Sequence, residues 1–293
     1  MIDQASALRT MVSRMAAPPL PVPLVVARPT NCRSFAVVSG KGGVGKTNVA
    51  LTLAIMFAAL KKKVILLDAD LGLANVHIML GMAAKYSLAD VADGRCTLEQ
   101  SLCTGPQGIH LIPGASGLES MANIDRMRLG LLQRQLQTLE QAYDILIVDT
   151  AAGIGSITTE FAAACDHALL VVTPEPTSLA DAYATVKTLS RRGMAVPYVV
   201  VNQAQTDLEG RETFDKLNTL VVKFLQSSLE LLAIVPFDRA VSRSVKKQQP
   251  LCCTQPDHPV AQRLYAAARR LAGLGASHKK EGFFTRFFGN KKI

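Results

Sequence analysis

Phe35-Ala36-Val37-Val38-Ser39-Gly40-Lys41-Gly42-Gly43-Val44-Gly45-Lys46-Thr47-Asn48, followed by the apolar run Val49 to Leu60, is the stretch that decides the fold. A short β-branched run leads into a glycine-rich turn, and the turn leads into a run of helical length. Gly40 to Thr47 fits G-x-x-x-x-G-K-[ST], and the strand before it and helix after it are the context that motif requires. Glycines let backbone N–H groups turn inward around phosphates, and the helix N-terminus adds partial positive charge. Lys46 is then placed to reach the β- and γ-phosphates and the Thr47 hydroxyl to ligate Mg²⁺. Gly40, Lys41, Gly42, Gly43, Val44, Gly45, Lys46, Thr47 and Asn48 form the candidate phosphate site.

The pattern continues outward. Apolar runs at 35–39, 63–68, 109–113, 143–149, 167–173, 196–202 and 231–236 alternate with helical stretches from about Ser34 to Gly275. Most are apolar throughout, as expected of strands covered on both faces, so the spacing predicts an α/β fold with a parallel sheet and helices on both sides. Two runs end in acid. One closes in Asp68-Ala69-Asp70 before Leu71-Gly72-Leu73-Ala74-Asn75, the other in Asp149. An acidic residue closing an apolar strand suits a Walker-B role toward Mg²⁺, although any one of these aspartates alone also reads as a helix cap. Ligands of open α/β sheets bind at the carboxyl ends of strands, so the three loops converge there.

Lys41-Gly42-Gly43-Val44-Gly45-Lys46-Thr47, with its early lysine, resembles the deviant Walker A of the MinD/ParA ATPases, and the resemblance covers about residues 34–272. Asp68 to Asn75 resembles the MinD switch I. Asp149-Thr150-Ala151-Ala152-Gly153-Ile154 resembles its switch II, with Ala151 where proline is usual, which puts the stiffness of that loop in doubt. The resemblance implies a MinD-like P-loop NTPase that takes ATP and Mg²⁺ and forms a nucleotide-sandwich homodimer. It implies that Lys41 reaches the partner's phosphates, that Asp70 orients the attacking water and that Asp68 couples switch I to the metal. Catalytic roles thus fall on Lys41, Lys46 and Asp70, and metal roles on Thr47, Asp149 and Asp68. Asn202 and the loop Pro236-Phe237-Asp238 match the family's adenine-side contacts. The strand end Asn202-Gln203-Ala204-Gln205 carries no N-K-x-D guanine reader, which favours ATP over GTP. Asn202 also reads as a plain strand-end turn residue.

The ends differ from the middle. The chain of 293 residues carries a formal net charge of +9. Residues 1–33 hold four Arg against one Asp, and residues 263–293 hold eight Lys or Arg against one Glu. The middle is close to neutral, which argues against a globally basic nucleic-acid binder and makes a DNA partner unlikely. Residues 3–15 read as a helix, with Asp3 as cap and Ala5, Leu8, Val12 and Met15 on one face. Residues 18–29 hold five of the 14 prolines and read as an extended linker. The domain reading is therefore 1–17 helix, 18–33 linker, 34–275 ATPase domain and 276–293 basic tail.

Asp3-Gln4-Ala5-x-x-Leu8-Arg9 resembles the N-terminal element of the FlhG group (also called FleN or YlxH), MinD-like ATPases of flagellar number and placement. That resemblance implies that the first helix, through Gln4 and Arg9, stimulates the GTPase of a signal-recognition-type FlhF protein. It further implies flagellar switch (C-ring) proteins, and a flagellar transcription regulator, as partners.

In the tail, Phe283, Phe284, Phe287 and Phe288 fall within a 140° arc at about 100° per residue, with Arg286 pointing away and Lys279, Lys280, Lys291 and Lys292 flanking. Aromatics beside cations suit an amphipathic helix at a membrane interface, as in MinD-like proteins, and docking of the same face onto the ATPase core is the other option. A membrane-attached dimer would present two such helices. The expected location is the cytoplasm, peripheral at the inner face of a bacterial cell membrane, because no secretory signal or apolar run of spanning length is found.

Composition closes off other classes. With 49% hydrophobic and 19% charged residues, the chain excludes global disorder, collagen and a minimal disulfide scaffold. Six cysteines without C-x-x-C read as reduced thiols, and Cys252-Cys253 lacks the spacing of an iron–sulfur carrier. The rivals to this reading are a septum-placing MinD, a ParA-type DNA partition ATPase, and a nucleotide-gated adaptor or antagonist of a flagellar transcription regulator whose hydrolysis is incidental.

Overall fold

The computed structural model describes residues 31–70, 75–113, 126–274 and 281–289. Gln4, Arg9, the helix expected over 3–15, the linker to residue 30 and the four tail lysines lie outside the described residues.

The chain alternates strand and helix as the apolar periodicity requires. The first strand, β1 (Arg33–Val38), leads through the glycine loop into α1 (Lys46–Ala59) and β2 (Val64–Ala69). Short helices α2 (Val76–Met79), α3 (Leu88–Ala92) and α4 (Leu98–Ser101) precede β3 (Cys103–Thr104) and β4 (His110–Ile112). Then follow α5 (Arg126–Glu140), β5 (Ile145–Thr150), α6 (Ser156–Ala164), β6 (His167–Val172), α7 (Pro176–Arg191), β7 (Tyr198–Ala204), α8 (Asp207–Leu225) and β8 (Glu230–Pro236). The described chain ends with α9 (Arg239–Lys246), α10 (Leu251–Thr254), α11 (Pro259–Ala272) and α12 (Phe283–Gly289). None of the described helices is long and apolar enough to cross a membrane.

The sheet has eight strands in the order β3-β4-β2-β5-β1-β6-β7-β8. It is parallel except for β3, which pairs antiparallel with β4 at the edge. The pairing of β3 is two residues long, too short for a periodicity signal to reveal. Central strands β1, β2 and β5 are buried at every position. Their side chains alternate between two cores, as period-two geometry demands. Phe35 and Val37 join α1 and α11 on one face, while Ala36 and Val38 join the face covered by α5 to α8. Within the first of these cores α1 is apolar nearly all round, since it is packed against sheet and α11 together.

Two expectations at the ends are corrected. Arg33, assigned to the linker, starts β1. Its guanidinium donates to the carbonyls of Leu271 and Ala272, at the end of α11, and of Leu274 just past it. A cation at the end of a proline-rich segment looks like linker, and only the packing of α11 beside it supplies those acceptors. In the tail, α12 forms and lies against α5 and α6, with Phe283, Phe284, Phe287 and Phe288 all buried. The Phe287 ring stacks on Phe161 at 4.4 Å. Docking on the core is thus the option the structure takes. Arg286, expected to point away, turns inward. It donates to the Ala164 carbonyl (2.6 Å) and pairs with Asp166 at 2.9 Å. Buried Glu140, the last residue of α5, accepts the N–H groups of Phe283 (2.7 Å) and Phe284 (3.2 Å) and so caps α12 from another helix. The cap is invisible to sequence because it is supplied 143 positions away.

Candidate functional site

Sheet register builds the site. In the parallel pair β2–β5, Asp68 stands directly beside Asp149, and Asp149 in turn faces Val37 of β1. Two carboxylates and the start of the glycine loop therefore lie at one level on the carboxyl edge of the sheet. Both aspartates are buried, and burial pushes both carboxyl groups above the usual range, Asp68 to about 6. Asp149 also adds to the shift of Asp68 by like-charge repulsion, while Lys46 works against burial at Asp149.

The loop geometry needs its glycines at two positions. Gly45 sits at φ +87°, and a Cβ there would lie 2.5 Å from Nδ2 of Asn202. A Cβ on Gly40 would lie 2.3 Å from the Asp181 carbonyl oxygen. The loop thus presses against α7 and against the end of β7. Gly45 caps α1 with no side-chain acceptor, and the first turn carries no acidic residue. Its N–H groups are matched to an anion rather than to a side chain.

Lys46, also buried, places Nζ 3.3 Å from Asp149 Oδ1, and the Thr47 hydroxyl donates to the same carboxylate. Among the described residues Asp149 is the one hydrogen-bond partner of the Lys46 ammonium. An ammonium has three donors, so capacity remains for phosphate. Asp68 is held by the N–H groups of Val76 (3.1 Å) and Asp70 (3.4 Å), which ties it to both ends of the segment resembling switch I. Asp70 is half-buried, next to that cluster, and its charge is felt at Asp149. In the segment resembling switch II, Thr150 donates to the Val37 carbonyl (2.9 Å) and the Gly153 N–H to Ser39 (2.8 Å). These bonds brace the loop that carries Ala151.

Lys41 is half-buried and lies against its own chain. Its ammonium contacts Glu175 at 2.5 Å and Thr177 at 3.1 Å, at the start of α7. Both partners are more than 130 positions away, so nothing local in the sequence marks them.

Asn202 sits at the floor of a cavity of about 220 Å³, lined also by Gly45, Asn48, Pro236 and Asp238. Its amide donates to the Val44 carbonyl at 2.7 Å, with Gln203 reaching Gly43 at 3.4 Å. Asn202 thus braces the loop in addition to lining the cavity. Asp238 uses its carboxylate to cap α9 through the Ala240 N–H (2.7 Å) and to meet His258 at 3.3 Å. The apolar wall comes from Val260 and Leu264 of α11 and from Val241. These were missed because nothing local marks a helix face as a base-sized wall. The cavity size and mixed lining suit a heteroaromatic base beside a phosphate cradle. The donor set of Thr47 hydroxyl and Asp149 carboxylate, with Asp68 behind it, is all hard oxygen and fits Mg²⁺.

The comparisons agree with this geometry. A family model described as "ParA: NUBPL iron-transfer P-loop NTPase" matches residues 32–272. The chain is 45% identical over 216 residues to the antiactivator FleN of Pseudomonas aeruginosa, covering 73% of this chain and 77% of that protein. It is 32% identical to the flagellum site-determining protein YlxH of Helicobacter pylori, covering 86% and 84%. Among solved structures, the septum site-determining protein MinD complexed with Mg-ADP from Pyrococcus horikoshii aligns with a TM-score of 0.66 at 25% identity. That alignment covers 83% of this chain and 98% of that one.

Proposed function

The chain belongs to the ParA/MinD family of P-loop NTPases, and from that premise we propose that it is a Mg-ATP-dependent regulator of flagellar number and placement. The observation that carries the nucleotide half is the juxtaposition of the uncapped α1 N-terminus, Lys46 with donors to spare, and the paired aspartates of β2 and β5. The flagellar half is supported by the names of its relatives, one of them a flagellum site-determining protein.

In this reading the first-turn N–H groups and Lys46 hold the β- and γ-phosphates, and Asn48, Asn202, Pro236 and Asp238 border the adenine. Thr47 and Asp149 would hold Mg²⁺, which offsets phosphate charge as it develops. Asp70 orients the attacking water. Lys41 leaves Glu175 and Thr177 to reach the phosphates of a second copy, in the manner of an arginine finger. A homodimer with bound ATP is the active species, and the tail reaches a membrane by leaving its dock on α5 and α6. Gln4 and Arg9 act in trans on an FlhF-type GTPase, with C-ring proteins and a flagellar transcription regulator as further partners.

The test is complementation of a strain lacking this gene. Wild type should restore flagellar count and position, and Lys46→Ala should not. Equal rescue by both would refute a nucleotide-dependent role. For the N-terminal helix, GTP turnover by the FlhF-type partner should rise with wild type and lose most of that rise with Gln4→Ala or deletion of residues 1–17. Equal stimulation by all three would sink that assignment.

A further inference from the structure

Helix α9 presents a basic face to which the described residues bring no carboxylate. Arg239, Arg243 and Lys246, with Lys247 just past the helix, recur at i, i+4, i+7 and i+8 and are all exposed. At about 100° per residue they share one arc of roughly 100°. No acidic residue occurs from Arg239 to Pro256. By contrast, exposed Arg95, Lys216, Arg263 and Arg270 each meet an Asp or Glu side chain. The unanswered charge works against the helix. Arg243 has like charges at i−4, i+3 and i+4, and Arg239 opens the helix at the positive end of its dipole. Carboxylates laid along this face relieve both.

We propose that this face docks an acidic helix of a partner protein, with carboxylates at i, i+4 and i+7 set against Arg239, Arg243 and Lys246. The surroundings select a protein. Exposed Phe237 stands before the helix, exposed Val245 lies within it, and exposed Gln248 and Gln249 follow. Cations mixed with apolar and amide groups suit a protein surface. A bilayer needs an apolar helix face to insert, and in α9 Ala240 and Val241 pack into the core instead. The tail phenylalanines lie in the other core, across the sheet. A duplex needs a broad positive field, and the domain around α9 is close to neutral.

The face is joined to the nucleotide cleft at both ends. At one end Asp238 caps α9 and, with Val241 and Ser242, lines the cleft. At the other, Gln248 donates to the Ile78 carbonyl of α2 at 2.9 Å, and α2 opens with the Val76 N–H held by Asp68. Docking is therefore felt at the cleft, a coupling that rests on the proposed nucleotide function.

The experiment titrates the full-length protein into a labelled Ala-rich peptide of about 18 residues, long enough to be helical, with Glu at that spacing. Fluorescence anisotropy at low salt reads binding. Wild type should bind this peptide, and bind a Gln-for-Glu version far more weakly. Arg239→Glu with Arg243→Glu should weaken binding about thirtyfold, since two pairs are lost and two repulsions gained. Lys246→Glu with Lys247→Glu should do about as much. Arg191→Glu with Arg192→Glu, exposed at the end of α7, should change binding less than about threefold. Unchanged melting transitions identify the folded variants. Equal loss in the α7 control would overturn the proposal. So would a wild type that leaves the Glu peptide free, or one that holds a short DNA duplex or phosphatidylglycerol vesicles more tightly through the same four cations. Saturating peptide should shift the affinity for a fluorescent ATP analogue about threefold, and Gln248→Ala should abolish the shift. No shift in wild type would refute the coupling. A wild type that binds no ATP analogue at all would refute the nucleotide function instead, and the anisotropy would still decide the docking face.

Discussion

Two ion pairs, one buried and one largely so, hold two regions of this molecule, and they are built in opposite ways. At the tail dock, Arg286 and Asp166 meet at 2.9 Å, and nearly every donor and acceptor is taken. Arg286 also donates to Ala164 and to Ser34, while Asp166 accepts from the Ser34 N–H and hydroxyl. At the carboxyl edge of the sheet, Lys46 and Asp149 meet at 3.3 Å with Lys46 otherwise unmatched among the described residues. A buried pair repays its desolvation only when its remaining hydrogen-bond capacity is used. The saturated pair is structural. The pair with capacity to spare lies where a polyanion is to be received.

Breaking the saturated pair should have the largest effect. Arg286→Ala leaves Asp166 buried without its cation and should cost about 3–5 kcal/mol of unfolding free energy, read from the urea midpoint at constant slope. Nucleotide affinity should stay as in wild type. A change below about 1 kcal/mol would mean that the tail is not part of the cooperative unit.

Lys46→Ala inverts the pattern. Two charge-assisted hydrogen bonds to phosphate at about 1.5 kcal/mol each amount to roughly a hundredfold loss of ATP affinity. The urea midpoint should move less than in the Arg286 variant, because Asp149, already raised by burial, takes up a proton. Titration with a fluorescent ATP analogue and urea unfolding on the same sample separate the two.

Glu140→Gln keeps one of the two acceptors that cap α12 and should cost about 1 kcal/mol at pH 5. Burial, the leading influence, raises this carboxyl above the usual range. The wild-type fold thus holds that proton more tightly than the unfolded chain does. The associated stability is full below about pH 4.3 and is lost as pH rises through the folded-state value. Glutamine has no such loss, so the gap between the two proteins should narrow as pH rises above the ordinary glutamate range. A gap that widens would contradict the burial argument.

The smallest effect sharpens the nucleotide side. Asn202→Ala removes the brace on the Val44 carbonyl and should weaken ATP binding about threefold, near the low end for one neutral hydrogen bond. A loss as large as that of Lys46→Ala would make Asn202 a direct ligand of the nucleotide rather than a support for the loop.

Much of the site was legible because its instructions are local. Gly40 to Thr47 specify positive φ, tight approach and an anion-binding helix start within eight residues. The apolar runs ending in Asp68 and Asp149 place those carboxylates at strand ends before any tertiary argument. Less legible were the partners that hold these groups. Glu175 and Thr177 sit in a different strand–helix unit from Lys41, and Val260 and Leu264 come from the other end of the chain. A helix face reads the same in sequence whether it meets a base, a sheet or solvent.

The amphipathic face of Phe283, Phe284, Phe287 and Phe288 shows the boundary. Spacing alone determined that the four rings share one side of a helix, because helical geometry is set by the backbone. It also determined the parallel alternation, the phosphate loop and the acidic strand ends. Only the tertiary structure decided that the ring face lies on Phe161 under a cap from Glu140, that Arg286 turns inward to Asp166, and that register sets Asp68 beside Asp149. The reason is that burial and charge pairing depend on which surfaces meet, and that choice belongs to the whole packed chain.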